Sequence, residues 1–194
     1  MEWYPQKVIK SAITYLMGQP SGKCEVYYDS GQLKAQFFQI KDNIQGYYEE
    51  YYPNGILKEK GLFKDNVKVG KWRSYYENGN KKTEWECSID NPGQLINTYR
   101  AWYENGNLFV LCSYRNDIVD KYGILDGRYV KLREDGTRVI EANFRNNYLF
   151  GNFSYFNKLG KTLISGMFDS DGTGKPDGDW TIYFENQSVR LKGT

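Results

Sequence analysis

One ten-residue pattern recurs along this chain every 24 to 30 residues, and that regularity restricts the fold more than any other feature. The pattern is Gly, any residue, an aromatic, two residues, two aromatics, two residues, Gly. It reads Gly46-Tyr47-Tyr48-Glu49-Glu50-Tyr51-Tyr52-Pro53-Asn54-Gly55, then Gly70-Lys71-Trp72-Arg73-Ser74-Tyr75-Tyr76-Glu77-Asn78-Gly79. Looser copies start at Gly22, Asn97, Gly127, Gly151 and Gly178, so successive starts differ by 24, 24, 27, 30, 24 and 27 residues. One unit further back, Trp3-Tyr4-Pro5 matches Tyr51-Tyr52-Pro53, Ile9 matches Leu57 and Tyr15 matches Phe63. The expectation is a single repeat domain over residues 1–194, with eight units beginning near 1, 22, 46, 70, 97, 127, 151 and 178. The first and last units are incomplete.

Each unit reads as a β-hairpin. Its Tyr, Trp, Phe and Val content favours strands. Asn-Gly at 54–55, 78–79 and 105–106, with Ser30-Gly31 and Asp135-Gly136 as variants, marks tight turns through tolerance of positive φ. A second strand follows each turn, as in Leu57 to Phe63 or Val139 to Phe144, and a polar connector such as Lys64-Asp65-Asn66 leads to the next unit. The fold class expected is all-β: an elongated, twisted single-layer antiparallel meander. Sixteen strands at about 4.8 Å would span roughly 75 Å, with a strong twist. Open sheet ends would leave room for self-association.

Strand alternation places the third and seventh residues of each unit on one face and the sixth on the other. The first face carries Tyr48, Trp72, Tyr129 and Trp180 with Tyr28, Tyr52 and Tyr76, and is expected to be the core. The opposite row, Tyr27, Tyr51, Tyr75 and Trp102, supplies the candidate partner-binding residues.

Composition narrows the chemistry. Aromatics make up 17% of the chain, yet mean hydropathy is −0.73, which suits a thin structure whose rings pack on one side and reach water with their hydroxyls. The net charge of +2 and the lack of long basic runs argue against nucleic acid. With no histidine, a Ser-His-Asp or Cys-His constellation is impossible, and no enzyme activity is expected. Cys24, Cys87 and Cys112 are an odd number without metal-ligand spacing; they read as buried small hydrophobes in a protein of a reducing, cytoplasmic compartment. No cofactor is expected. The one metal candidate is the loop at Asp169-Ser170-Asp171-Gly172, continuing to Asp177, whose alternating aspartates resemble the start of a calcium loop but lack its closing Glu. The competing reading is a lengthened connector. Val8 to Met17 has some look of a signal peptide, but the repeat register makes it part of a hairpin. No run reaches the length of a membrane-spanning helix, so membrane contact is disfavoured.

The unit Gly70-Lys71-Trp72-Arg73-Ser74-Tyr75-Tyr76-Glu77-Asn78-Gly79 and its copies resemble the MORN repeat, in the variant form of the YwqK-type bacterial antitoxin family. The later copies depart, with Leu132-Arg133 and Phe156-Asn157 where two aromatics are expected, and with Gln187 at the last turn. The resemblance implies a non-catalytic protein-binding module, and in its most specific version an antitoxin or immunity protein that neutralises a toxin by covering it. The alternatives are a structural scaffold or membrane-proximal adaptor, or a carbohydrate-binding repeat protein.

Overall fold

In a computed structural model of the chain, residues 1–116 and 123–193 are described. They contain sixteen strands and no helix. The chain divides into two compact units, Met1–Gly93 and Gln94–Thr194. The first holds β1 (Glu2–Trp3), β2 (Ile9–Leu16), β3 (Gln19–Tyr27), β4 (Leu33–Ile40), β5 (Asn43–Tyr51), β6 (Leu57–Lys64), β7 (Val67–Tyr75) and β8 (Lys81–Cys87). The second holds β9 (Leu95–Trp102), β10 (Leu108–Arg115), β11 (Ile124–Leu132), β12 (Arg138–Arg145), β13 (Tyr148–Phe156), β14 (Thr162–Phe168), β15 (Pro176–Tyr183) and β16 (Val189–Gly193). Within each unit every strand pairs antiparallel with the next along the chain, giving the expected meander. The segment from Ile9 to Leu16 pairs with β3, as the hairpin reading required.

The hairpin turns work differently from the expectation. In each, the seventh residue of the repeat accepts a bond from the tenth: Gly31 N–H reaches the Tyr28 carbonyl at 2.9 Å, and Gly55 N–H reaches Tyr52 at 2.9 Å. The turn Asn stays at negative φ, and only the glycine after it enters the left-handed region, at 81° for Gly55. This is the loop in which a four-residue turn ends in a bulge. The Asn acts through its side chain, its Oδ1 accepting from Ile56 N–H at 3.0 Å across Asn54 and from Asn107 N–H at 2.9 Å across Asn105. Lys7 and Gln187 hold the glycine's place at φ of 62° and 72°. Paired positive φ occurs instead in the connectors, at Asp65 and Asn66 and at Asn146 and Asn147, which form two-residue loops. There Asn66 also takes the Ile44 N–H on its Oδ1 at 2.7 Å, clasping the preceding connector.

The seventh-position side chains tie one hairpin to the next. The Tyr4 hydroxyl donates to the Tyr27 carbonyl at 3.0 Å, Tyr28 to Tyr51 at 2.8 Å, Tyr52 to Tyr75 at 2.9 Å and Tyr103 to Leu132 at 3.0 Å. Above several of these rings sits a cation one strand on: Lys34 over Tyr28 at 5.6 Å, Lys58 over Tyr52 at 5.9 Å and Lys82 over Tyr76 at 5.4 Å. These contacts recur because the repeat places the same groups in the same register.

The third-position face is the packed one. Trp72 and Cys24 are fully buried, Cys87 and Cys112 nearly so. In the first unit rings follow one another from Phe37 to Tyr48 (6.1 Å), Tyr48 to Phe63 (5.3 Å), Phe63 to Trp72 (5.0 Å) and Trp72 to Trp85 (5.7 Å). In the second, Phe153, Phe168 and Trp180 cluster at 5.1 to 5.8 Å. The two tryptophans need their neighbours small. A Cβ added to Gly61 would sit inside the Trp72 indole, and one added to Gly166 inside the Trp180 indole. In strand register the same glycines face the preceding third-position rings, Gly61 opposite Tyr48 and Gly166 opposite Phe153, while Phe37 stands opposite Tyr48 and Trp85 opposite Trp72 on the other sides. The Trp72 indole N–H is satisfied by the carbonyls of Val69 at 3.1 Å and Leu62 at 3.2 Å.

Candidate functional site

The row named from the sequence lies on the other face, and all four of its residues are half-buried. Tyr27, Tyr51 and Tyr75 end successive first strands of the first unit, while Trp102 ends β9 in the second. Two of them, Tyr27 and Tyr51, are held by neighbours two residues back. The Tyr27 hydroxyl donates to Glu25 Oε2 at 2.9 Å, and Tyr51 to Glu49 Oε2 at 2.7 Å. Gln36 Nε2 joins the latter, 2.7 Å from Glu49 and 3.3 Å from the Tyr51 oxygen. Glu49 is held below the ordinary carboxylate range by the Tyr51 hydroxyl and then by Gln36, and Glu25 by Lys23 and then by Tyr27. Beside Tyr75, Arg73 pairs with Glu84 at 2.8 Å. The face therefore presents fixed rings between cross-strand ladders of charge.

Its most exposed ring was not singled out from the sequence. Tyr47, the second residue of its repeat, is 80% exposed. That place holds Lys23, Lys71, Thr98 and Arg128 in other units, so the departure from the repeat was the available signal. A cleft of about 440 Å³ opens on one side of Tyr47, lined by Phe38, Gln36, Gln45, Lys23 and Glu49. A second, of about 430 Å³, opens on the other, lined by Lys60, Leu62, Lys71 and Arg73. Both belong to the first unit.

Among the remaining candidates, Asp169 and the cysteines are engaged within the fold. Asp169 closes its own loop: its carboxylate accepts from the backbone N–H of Thr173 at 2.9 Å and from the Thr173 hydroxyl, and its N–H reaches the Lys175 carbonyl at 2.9 Å. Asp171 is exposed in the loop and Asp177 is exposed on β15. Asp169, Asp171 and Asp177 are not gathered into one cluster, and no group of three or more His, Cys, Asp or Glu able to hold a metal occurs among the described residues. The three cysteines are free and buried on the packed face, and burial pushes the Cys87 thiol up to about 11.

In the first unit one face is thus given to internal packing, and the other displays rings, clefts and charge. These features define a β-hairpin repeat protein with a surface of the kind used for binding. Its repeats are MORN repeats: the MORN repeat variant matches residues 20–40, 44–65, 68–86 and 96–116. Those residues cover the second to fifth units, where the ten-residue pattern is best kept. Compared with curated proteins, the chain shows no significant match. Repeats of this kind generally form non-enzymatic interaction modules.

Proposed function

We propose that this protein is a non-catalytic protein-binding module of the antitoxin or immunity type, cytoplasmic, which acts by covering a partner with the face that bears Tyr27, Tyr51, Tyr75 and Trp102. The observation that carries the reading is the division of the two faces: Trp72 and Cys24 are fully buried on one, while Tyr47 and the half-exposed tyrosine row stand on the other. Rigid tyrosines whose hydroxyls are already oriented lose little freedom on contact and are favoured at interface hot spots. With a net charge of only +2, shape and ring packing outweigh bulk electrostatics in choosing the partner. Free, buried thiols suit a reducing compartment.

The test is co-purification from native-host lysate with the full chain and with a Tyr51→Ala/Tyr75→Ala variant that keeps its far-ultraviolet spectrum. A stoichiometric protein retained by the first and lost by the second, and toxic when produced without this chain, is the expected result. A partner held equally by both overturns the face assignment. Retention of lipid or glycan alone, or of nothing, overturns the protein-binding reading.

A further inference from the structure

The packed face of the first unit is not apolar throughout. Lys68 lies two residues before the first glycine of its repeat, a place that Pro20, Ile44, Leu95, Leu125, Leu149 and Pro176 hold in the other units. Its ammonium sits 4.0 Å from the centre of the Trp72 ring, 5.3 Å from that of Trp85 and 2.5 Å from Glu59 Oε1. Glu59 and Trp85 depart from the repeat as well. The place of Glu59 carries Ala35, Thr83, Val110, Ile140 and Ile164 elsewhere, and that of Trp85 nothing larger than Phe37. Trp85 stands opposite Trp72 with the two ring planes 16° apart, so the indoles form one platform. The departures meet at one spot and together supply what a cation needs, ring faces and a carboxylate.

We propose that Trp72, Trp85 and Glu59 form a binding site for a trimethylammonium group, which the Lys68 ammonium occupies in this structure. A primary ammonium is a compact, strongly hydrated charge that gives up water to lie on a ring. A trimethylammonium has no N–H to satisfy and gains more from the same ring faces. The side chains of Lys68 and Glu59 are 32% and 24% exposed, so their ion pair holds weakly and the lysine stem can turn its head into water. The site lies within the first unit, on the face opposite Tyr51, and stands apart from the protein-binding reading.

The experiment is a titration of the full chain with choline chloride at constant ionic strength, read from the indole N–H signals of its five tryptophans. The signals are assigned with Trp→Phe variants, and every variant is checked for an unchanged far-ultraviolet spectrum. The Trp72 and Trp85 signals are expected to shift and saturate, and the Trp3 signal to stay. Lys68→Ala removes the internal competitor and should tighten binding at least about fivefold. Lys58→Ala takes the same charge from beside the single ring of Tyr52, and should tighten it less than about twofold. Trp85→Leu and Glu59→Gln, each combined with Lys68→Ala, should weaken binding at least about fivefold. Phosphatidylcholine vesicles that sediment the wild type but not Trp85→Leu would assign the group to a lipid headgroup; choline binding without sedimentation assigns it to a free ligand. Equal shifts at Trp3, equal tightening by Lys58→Ala, or no saturable shift in Lys68→Ala overturns the proposal. Binding by Lys68→Ala alone would make the lysine a permanent cover and overturns it too.

Discussion

The guanidinium of Arg133 donates to the carbonyl of Phe156 at 2.9 Å, filling the place where a tyrosine hydroxyl bonds the next hairpin elsewhere in the chain. Tyr28 makes the same link to Tyr51 at 2.8 Å, 23 residues on, which is also the separation of Arg133 from Phe156. What the repeat maintains at its seventh position is thus a donor of the right reach. In the following unit the place goes to Asn157, which is buried and turns inward instead, its Oδ1 accepting from Leu159 and Lys161 N–H at 2.9 Å.

Removing one such donor strands a carbonyl with little change in packing. Tyr28→Phe is expected to cost about 1 kcal/mol in urea unfolding. Arg133→Met is expected to cost a similar amount, and Arg133→Tyr to recover most of it. Equal stability of Arg133→Met and wild type would remove the link from the account.

Gly61 is required by the Trp72 ring lying against it. Gly61→Ala is expected to destabilise by about 1–3 kcal/mol through overpacking. Gly193→Ala, where the added carbon meets nothing within 4 Å, is the control and should be near neutral. Thermal melts of the two variants side by side decide the matter.

The carboxylate of Glu49 is held below its ordinary value by Tyr51 and Gln36. A depressed carboxylate contributes stability that is present above the unfolded pKa, about 4.3, and is lost as pH falls through the folded value. Glu49→Gln should therefore flatten the acid limb of the stability profile below about pH 4.3 and leave the neutral region less stable than wild type. A parallel shift at all pH values would show that the ionised form carries none of the effect.

Cys24, Cys87 and Cys112 are buried, and burial raises the pKa of each thiol. Iodoacetamide at pH 8 should leave all three unmodified in the folded protein and alkylate all three in urea, as read by mass spectrometry. Rapid labelling of Cys87 in the native state would contradict its packed position.

The strands and their order were legible because a hairpin needs its turn residues at fixed offsets, and Gly46, Gly55, Gly70 and Gly79 supply them. The packed face was legible from strand alternation at Tyr48 and Trp72. The mechanism of the turns was not. Asn54 and Asn105 next to glycine suggest positive φ at both residues, whereas the asparagines bond with their side chains and the connector residues Asp65 and Asn66 take the left-handed conformations. The bond from Tyr28 to Tyr51 was also hidden, since it depends on how closely consecutive hairpins approach. Tyr47 escaped notice because the repeat pattern leaves its second position free, and only comparison with Lys23 and Lys71 marks it out.

The division of labour between the faces is tested most directly by urea unfolding of Trp72→Ala and Tyr47→Ala. Trp72 is fully buried over Gly61, so its loss leaves a hole that nothing nearby fills, at an expected cost of about 3–5 kcal/mol. Tyr47 is 80% exposed, and its loss should change stability by no more than about 0.5 kcal/mol. Comparable losses in the two variants would mean that the face carrying Tyr47 also holds the fold together, and would contradict its assignment as the surface left for a partner.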